Sequence, residues 1–227
     1  MHAHVARLRA ACGRLAWLGL SVGLAGLGGC STATIERAPA MIEGIVRGKD
    51  VVAPGKARPD EVRVIRPDGG EMRPLPRQLR AQDEVRTGST SAVMLEFADG
   101  TRVQVQPNTH VIISSVLLRL GQILVEARGR FRAQTDYHEF ATKGTRYRIT
   151  AAANCVAVDV AEGAVEMNSR TSSWMPVAVA VGNRASAQGQ GAPSRSRLDP
   201  REVKEINDAF QTFSDLFDII MLMRPTF

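Results

Sequence analysis

Short runs of alternating apolar and polar residues dominate the chain as far as about Val181, and glycine, proline or asparagine separates them. In residues 101–106, Val103 and Val105 fall on one face and polar residues on the other. This period of two is typical of a half-buried strand. Similar runs predict strands at 61–65, 93–97, 111–114, 123–127, 146–150, 156–160 and 164–167. We therefore predict an all-β domain of short antiparallel or solenoid-like strands over residues 61–181.

Turn residues separate these strands. Asp99-Gly100 lies between two alternating runs, and Gly100 accepts the positive φ that a type I′ hairpin turn requires. Three further glycines stand between predicted strands and are expected to form structural turns. They are Gly88, Gly144 and Gly163.

A linker and a helix are predicted after the β domain. Residues 182–198 are rich in glycine, alanine, serine and glutamine, which is typical of a flexible linker. Asp199 then suits a helix N-cap, Pro200 the first helical position, and Glu202 the capping-box position. We predict one amphipathic helix over residues 199–224.

The predicted helix carries a continuous apolar stripe with steps of three and four residues. Its members are Val203, Ile206, Phe210, Phe213, Phe217 and Ile220. We expect this face to dock on the protein's own β domain. A seam for a partner, or for homo-oligomer formation, is the alternative, because the spacing also suits coiled-coil packing. Six acidic residues against three basic ones from residue 199 onward argue against a helix lying on an anionic membrane.

The N-terminus has the pattern of an export signal. Three arginines precede an uncharged run at 15–27, which ends in Leu27-Gly28-Gly29-Cys30. This sequence resembles the lipobox of bacterial lipoproteins, which implies acylation of Cys30, removal of residues 1–29, and attachment to the membrane through lipid. Ser31 follows, and by the same resemblance the absence of aspartate there favours a periplasm-facing position on the outer membrane. An uncleaved membrane span over 15–35 is the alternative.

Charge and cysteine content restrict the remaining possibilities. Removing residues 1–29 takes away three arginines and no acid, so the formal charge falls from +6 to +3. This small charge gives no reason to expect nucleic-acid binding. Residues 30–60 would form a tether and the first extended segments. Cys155 would be the last free cysteine, and its apolar strand context predicts a buried, inert thiol.

No catalytic constellation is evident. His110 and His138 belong to no metal-ligand spacing, and we expect Tyr137-His138-Glu139 to form a polar surface turn before a strand. Ser89 and Ser91 form no Gly-x-Ser-x-Gly elbow. Asp99 has no evident carboxylate partner for glycoside hydrolysis. We predict a protein that is not an enzyme and has no metal and no cofactor.

Several segments resemble the FecR-like domain. Residues 83–88 and 97–101 are similar to its opening turn and hairpin, and three later segments follow in the same order. They are 120–123, 140–149 and 158–165. The resemblance implies an all-β extracytoplasmic domain without catalysis. FecR-like regulators of sigma factors also carry a cytoplasmic segment and one membrane span, whereas here only fourteen residues precede the apolar run.

Three functions follow from these observations. The first is a lipid-anchored envelope scaffold that binds a protein or glycan. The second is a FecR-type transmembrane signal relay that regulates a sigma factor. The third is an envelope hydrolase with a site scattered over loops.

Overall fold

The computed structural model describes residues 40–113 and 116–223. The predicted signal peptide and lipidation site at Cys30 lie outside these residues. The described elements are β1 (Met41–Arg47), β2 (Asp50–Val52), a 3-10 helix (Pro54–Lys56), β3 (Val62–Ile65), β4 (Glu84–Thr87), β5 (Ser91–Glu96), β6 (Arg102–Val105), β7 (His110–Ile112), β8 (Leu117–Gln134), β9 (His138–Ala152), β10 (Cys155–Glu162), β11 (Ala164–Ser169), β12 (Val177–Ala180), β13 (Asn183–Gln188), β14 (Ser194–Arg197) and α1 (Pro200–Met223).

The strands form one open antiparallel sheet around a long central hairpin. The main path runs β14-β13-β10-β9-β8-β6-β5-β1-β2. β8 and β9 pair from Gly121 opposite Ala151 to Gln134 opposite Glu139. Each is long enough to have different neighbours along its length. β8 therefore also pairs with β7, which continues to β4 and β3, and β9 also pairs with β11, which continues to β12.

The main apolar core lies on one face of the sheet. Because successive side chains of a strand point to opposite faces of the sheet, Val93 and Leu95 of β5 both enter this core, as does Val103 of β6. The two side branches contribute residues such as Val85 and Val165 to the same cluster. The core is thus enclosed by the sheet and its branches. The predicted all-β class with a C-terminal helix is confirmed.

α1 covers the opposite face. Ala92 and Met94 of β5 and Leu124 of β8 point away from the main core and pack on α1. The helix begins as its capping box predicts, because Asp199 Oδ1 accepts hydrogen bonds from the backbone N–H groups of Arg201 and Glu202, both at 2.8 Å. The covered face explains why Gln104, polar and expected to face solvent, is buried.

The flexible-linker prediction for residues 182–198 is wrong. Residues 183–188 form β13, where Ala185 and Ala187 are buried opposite Val158 and Val156 of β10. Small alanines between polar residues suffice for a strand here, because the neighbouring strand supplies the larger side chains. Ser194–Arg197 adds β14 at the sheet edge.

Two other expectations need correction. β1 lies next to β5 inside the sheet, so the β domain begins well before residue 61. The strands are not uniformly short, since β8 has 18 residues and β9 has 15. Residues 123–127 are part of β8, and residues 146–150 are part of β9. The pairing of the two strands shifts at a bulge between Ala127 and Arg130 and then continues.

Replacing Phe213 with alanine should destabilise the protein, because the ring is fully buried between α1 and the sheet. We expect a loss of about 3–5 kcal/mol in the free energy of unfolding. Ile219→Ala is the matched control on the same helix, since Ile219 is 44% exposed and should change stability by no more than about 0.5 kcal/mol. Urea denaturation measures both, and equal losses would contradict docking of the aromatic stripe.

Candidate functional site

A buried ionic cluster connects the sheet to α1. Asp159 of β10 is 3% exposed, and its direct neighbours across the sheet are Arg148 of β9 and Arg184 of β13. Arg148 donates from Nε and Nη2 to Asp159 Oδ2 at 3.0 and 2.8 Å. Arg184 donates from Nε to Oδ1 at 2.5 Å and from Nη2 to Oδ2 at 3.0 Å. One carboxylate therefore accepts four hydrogen bonds from two guanidinium groups.

The same arginines extend to the first turns of α1. Arg184 Nη1 donates to Glu202 Oε1 at 2.7 Å, and Arg148 Nη1 donates to Glu205 Oε1 at 2.9 Å. Glu202 also accepts a hydrogen bond from the backbone N–H of Asp199 at 3.0 Å. We call Arg148, Asp159, Arg184, Glu202 and Glu205 the ionic latch. It joins three strands to the beginning of the helix.

The ionic latch keeps its arginines charged. The hydrogen bond to Asp159 raises the pKa of Arg184 above its ordinary value, and this exceeds the opposing effect of burial. For Arg148, burial lowers the pKa, but the hydrogen bonds to Asp159 and Glu205 outweigh it and the net shift is upward. These guanidinium groups are therefore fixed cations that neutralise the buried carboxylate of Asp159, and they have no proton to exchange near neutral pH.

The apolar stripe of α1 continues from the ionic latch across the sheet. Ile206, Phe210, Phe213, Phe217 and Ile220 are buried against the sheet, and Val203 is half-buried. The guanidinium carbon of Arg102 on β6 lies 4.3 Å from the centre of the Phe217 ring, which is a cation–π contact.

The end of α1 approaches the backbone of β1. A Cβ atom at Gly44 would lie 2.9 Å from Ile220 Cδ1. The glycine of β1 therefore leaves room for the last turns of the helix.

Two of the predicted turn glycines lie in turns between strands, Gly100 and Gly163, each with a φ of +77°. The turn prediction is wrong for Gly144, which has a φ of +63° but lies inside β9, where the pairing of β9 with β8 shifts at a bulge. Asp99 Oδ1 accepts a hydrogen bond from the backbone N–H of Thr101 at 2.9 Å, which closes the β5–β6 hairpin. Glycine is required at residue 88 for a different reason, because there is no space for a side chain. A Cβ atom there would lie only 2.0 Å from the carbonyl oxygen of Asp60.

Beside Gly88 lies a buried carboxylate that sequence reasoning missed. Glu61 is 1% exposed, and its Oε2 accepts hydrogen bonds from Arg47 Nη2 and from the backbone N–H of Arg58, both at 2.7 Å. Burial alone raises the pKa of Glu61, but these bonds outweigh it and lower the pKa to about 2. The backbone N–H of Gly88 donates to Glu61 O at 2.7 Å. Glu61 lies in a predicted strand, and nothing local in the sequence distinguishes it from an exposed glutamate.

A second surface is formed by four loops, which we call the loop end. It comprises residues 134–138, 152–155, 170–176 and 188–193. Arg170 Nη1 donates to Thr135 O at 2.8 Å, and Trp174 Nε1 donates to Gln190 O at 3.2 Å, so side chains tie these loops together. Met175 is 82% exposed and Tyr137 is 39% exposed.

Cys155 and His138 also belong to the loop end, and each differs from its prediction. Cys155 is exposed, because it is the first residue of β10 and Val156 takes the inward position. His138, expected in a surface turn, is buried 5.9 Å from the Trp174 ring, and burial lowers its pKa.

Chemistry typical of catalysis is not assembled in the ranges that the structure describes. His110 Nε2 lies 3.1 Å from Glu84 Oε1, and burial lowers the pKa of this histidine. Within residues 40–113 and 116–223, no group of three or more histidine, cysteine, aspartate or glutamate side chains could hold a metal ion. In the same ranges, no helix has the length and hydrophobicity to cross a membrane.

The comparisons with known proteins concern the middle of the chain. Residues 83–166 match the family model of the FecR protein. Every segment that resembles the FecR-like domain lies inside this match, so the resemblance is confirmed there. The FecR-matched region runs from the end of the loop before β4 into β11 and includes Gly88, Gly100, Gly144 and Gly163.

Two solved structures of a candidate anti-sigma factor from Parabacteroides distasonis resemble the chain. One is 16% identical with a TM-score of 0.46, and the similarity covers 53% of this chain and 62% of that one. The other is 16% identical with a TM-score of 0.42, and it covers 50% and 58%. The chain thus spans less than two thirds of their length. No curated protein matches it in sequence.

Neutralising the centre of the ionic latch should destabilise the docked helix. Asp159→Asn leaves the buried guanidinium group of Arg148 and the half-buried one of Arg184 without their shared carboxylate, and we expect a cost of about 3 kcal/mol. Asp208→Asn is the control, because its ion pair with Lys204 is exposed and worth at most about 0.5 kcal/mol. Thermal unfolding and amide exchange of α1 measure the effect. Equal stability of the two variants would show that the ionic latch does not hold the helix.

Glu61, which packs against the FecR-matched region, should make the free energy of unfolding depend on pH in the acidic range. Its pKa is lowered to about 2, below the value of 4.5 for a free glutamate. Because its pKa is lowered in the folded protein, Glu61 stabilises the folded state at pH values above the pKa that it has in the unfolded chain. This contribution to the free energy of unfolding is lost as the pH falls from about 4.5 through about 2. Glu61→Gln should therefore unfold more easily at neutral pH and have a flatter stability curve in this window. Glu162→Gln, at a largely exposed side chain, should retain the parent curve.

Proposed function

We propose that this protein is a non-enzymatic signal-relay component of the FecR type, which receives a signal by binding an envelope protein. The observation that carries the proposal is the family match over residues 83–166. The chemistry of this region supports it. The polar residues of its motifs make structural hydrogen bonds, such as those of Thr87 Oγ1, which donates to Gln106 O at 2.6 Å and accepts from Thr109 N at 2.9 Å.

The loop end is the surface we propose for the partner. Its exposed Met175 and Tyr137 offer apolar area, and Trp174 and Arg170 hold the loops that carry them. Preordered loops bind a protein at a smaller entropic cost than mobile ones. Methionine adapts to different apolar contacts because its side chain is unbranched and polarizable.

A transcriptional experiment tests the relay. Deleting the gene should change expression of one set of genes that share a promoter class, and the wild-type gene should restore it. Met175→Asp should fail to restore it, because a charge replaces the apolar contact. Val181→Asp is the control, since Val181 is 56% exposed in the turn between β12 and β13, outside the loop end.

Unchanged transcription after deletion would contradict the relay. If crosslinking at the loop end still captured an envelope protein in that case, the anchored scaffold would be the better description.

Attachment to the membrane is proposed separately, through Cys30. The pattern Leu27-Gly28-Gly29-Cys30 supports it, because the cysteine sulfur is the nucleophile that accepts diacylglycerol. Two or more acyl chains form a lasting anchor, since each buried methylene contributes about 0.8 kcal/mol. The protein would then face the periplasm without residues 1–29, and its part in the relay would be to receive the signal on that side of the membrane.

The Cys30→Ser variant should accumulate as an unprocessed precursor that incorporates no labelled palmitate. Cys155→Ser is the matched control, and it should be processed and labelled like the parent. Gel mobility measures the processing of the precursor, and the radiolabel measures the incorporation of palmitate. Normal cleavage of the Cys30→Ser variant would refute the lipid anchor.

A further inference from the structure

The last turn of α1 leaves a cluster of large apolar side chains uncovered. Ile219 is 44% exposed, Met223 55% and Leu222 86%. We call these three residues the apolar tip. They differ from the docked stripe, because Ile220 in the same turn is only 3% exposed. The sheet covers one face of α1, and the polar residues of the helix take most of its exposed face. The apolar tip is therefore a group of neighbouring large apolar side chains that no described residue covers.

The position of the apolar tip is fixed by the path of the helix. α1 begins at Arg184 of β13, passes Arg102 of β6 and ends at β1 and β2, where Ile220 reaches Gly44 and Val51. A depression lies beside the tip, and it is lined by apolar residues such as Val52, Pro54 and Met223 and by the charged Glu43 and Arg77. The apolar tip therefore stands at the edge of the sheet where the described chain begins.

The preceding chain restricts what can reach this edge. Ala40 directly precedes β1, and Cys30 lies ten residues earlier. Ten extended residues span at most about 36 Å, so a lipid on Cys30 would hold the β1 edge within that distance of a bilayer. A short tether raises the effective concentration of the surface to the millimolar range, and a weak apolar contact would then be populated.

We propose that the apolar tip inserts into the surface of the lipid bilayer and fixes how the domain faces the membrane. The inference rests on the proposed Cys30 anchor. The charged residues that line the depression beside the tip, Arg77 and Glu43, form an ion pair with each other at 3.7 Å. The contact is therefore carried by apolar burial, and it should tolerate high salt and neutral lipids.

Tryptophan quenching tests the contact in the protein expressed from its complete sequence, so that any processing at Cys30 has taken place. The purified protein is reconstituted into vesicles of phosphatidylethanolamine and phosphatidylglycerol with brominated acyl chains. The background is Trp17→Phe, which leaves Trp174 as the only native tryptophan. Leu222→Trp should lose at least about half of its added fluorescence to bromine, because the tip lies among acyl chains. Leu120→Trp is the matched control at an exposed leucine of β8 outside the tip, and its fluorescence should be unchanged.

Absent quenching in Leu222→Trp, or equal quenching in Leu120→Trp, would overturn the proposal. The intact mass of the same samples reports on the anchor independently. Acylated Cys30 without quenching would refute the apolar tip and leave the anchor in place. Quenching with an unmodified Cys30 would support the tip and refute the anchor.

Discussion

The structure depends on covering the second face of its sheet. β5 illustrates the constraint, since Val93 and Leu95 enter the main core while Ala92 and Met94 point to the other side. A strand that is apolar on both faces is stable in water only if both faces are covered. α1 provides that cover with three phenylalanines. The helix is thus a structural layer of the domain, and the strands that deliver it, β13 and β14, belong to the same sheet.

The ionic latch fixes the orientation of α1 on the sheet. Apolar packing of a phenylalanine stripe has little preference for register, because similar rings recur along the helix. Two arginines that share Asp159 and extend to Glu202 and Glu205 align the start of α1 with β10 and β13. Desolvation offsets much of the attraction in a buried ion pair, so its value here lies in specificity more than in net stability. The latch thus adds contacts between specific residues to the packing of the apolar stripe.

Much of this architecture could be read from local sequence. The Asp99-Gly100 hairpin, the capping box at Asp199 and the stripe through Phe213 depend on residues close together in the chain, and each is present. Other features were invisible for physical reasons. β13 is held by its neighbour's valines, whereas its own alanines and polar residues look like a linker. Gly88 is required by the Asp60 carbonyl, and Glu61 is paired with Arg47, so both depend on contacts between residues that are distant in the sequence.

α1 and the sheet beneath it lie between two surfaces of the molecule, the loop end and the β1 edge. Loops 134–138 and 152–155 connect the long central strands β8, β9 and β10, so a force on the loop end acts directly on the strands that carry Arg148 and Asp159. These residues contact the start of α1, and the helix continues to Ile220 beside β1. The loop end and the β1 edge are therefore linked through packed strands and one helix. Such contiguous packing is the kind of path through which binding at one surface can bias the position of another.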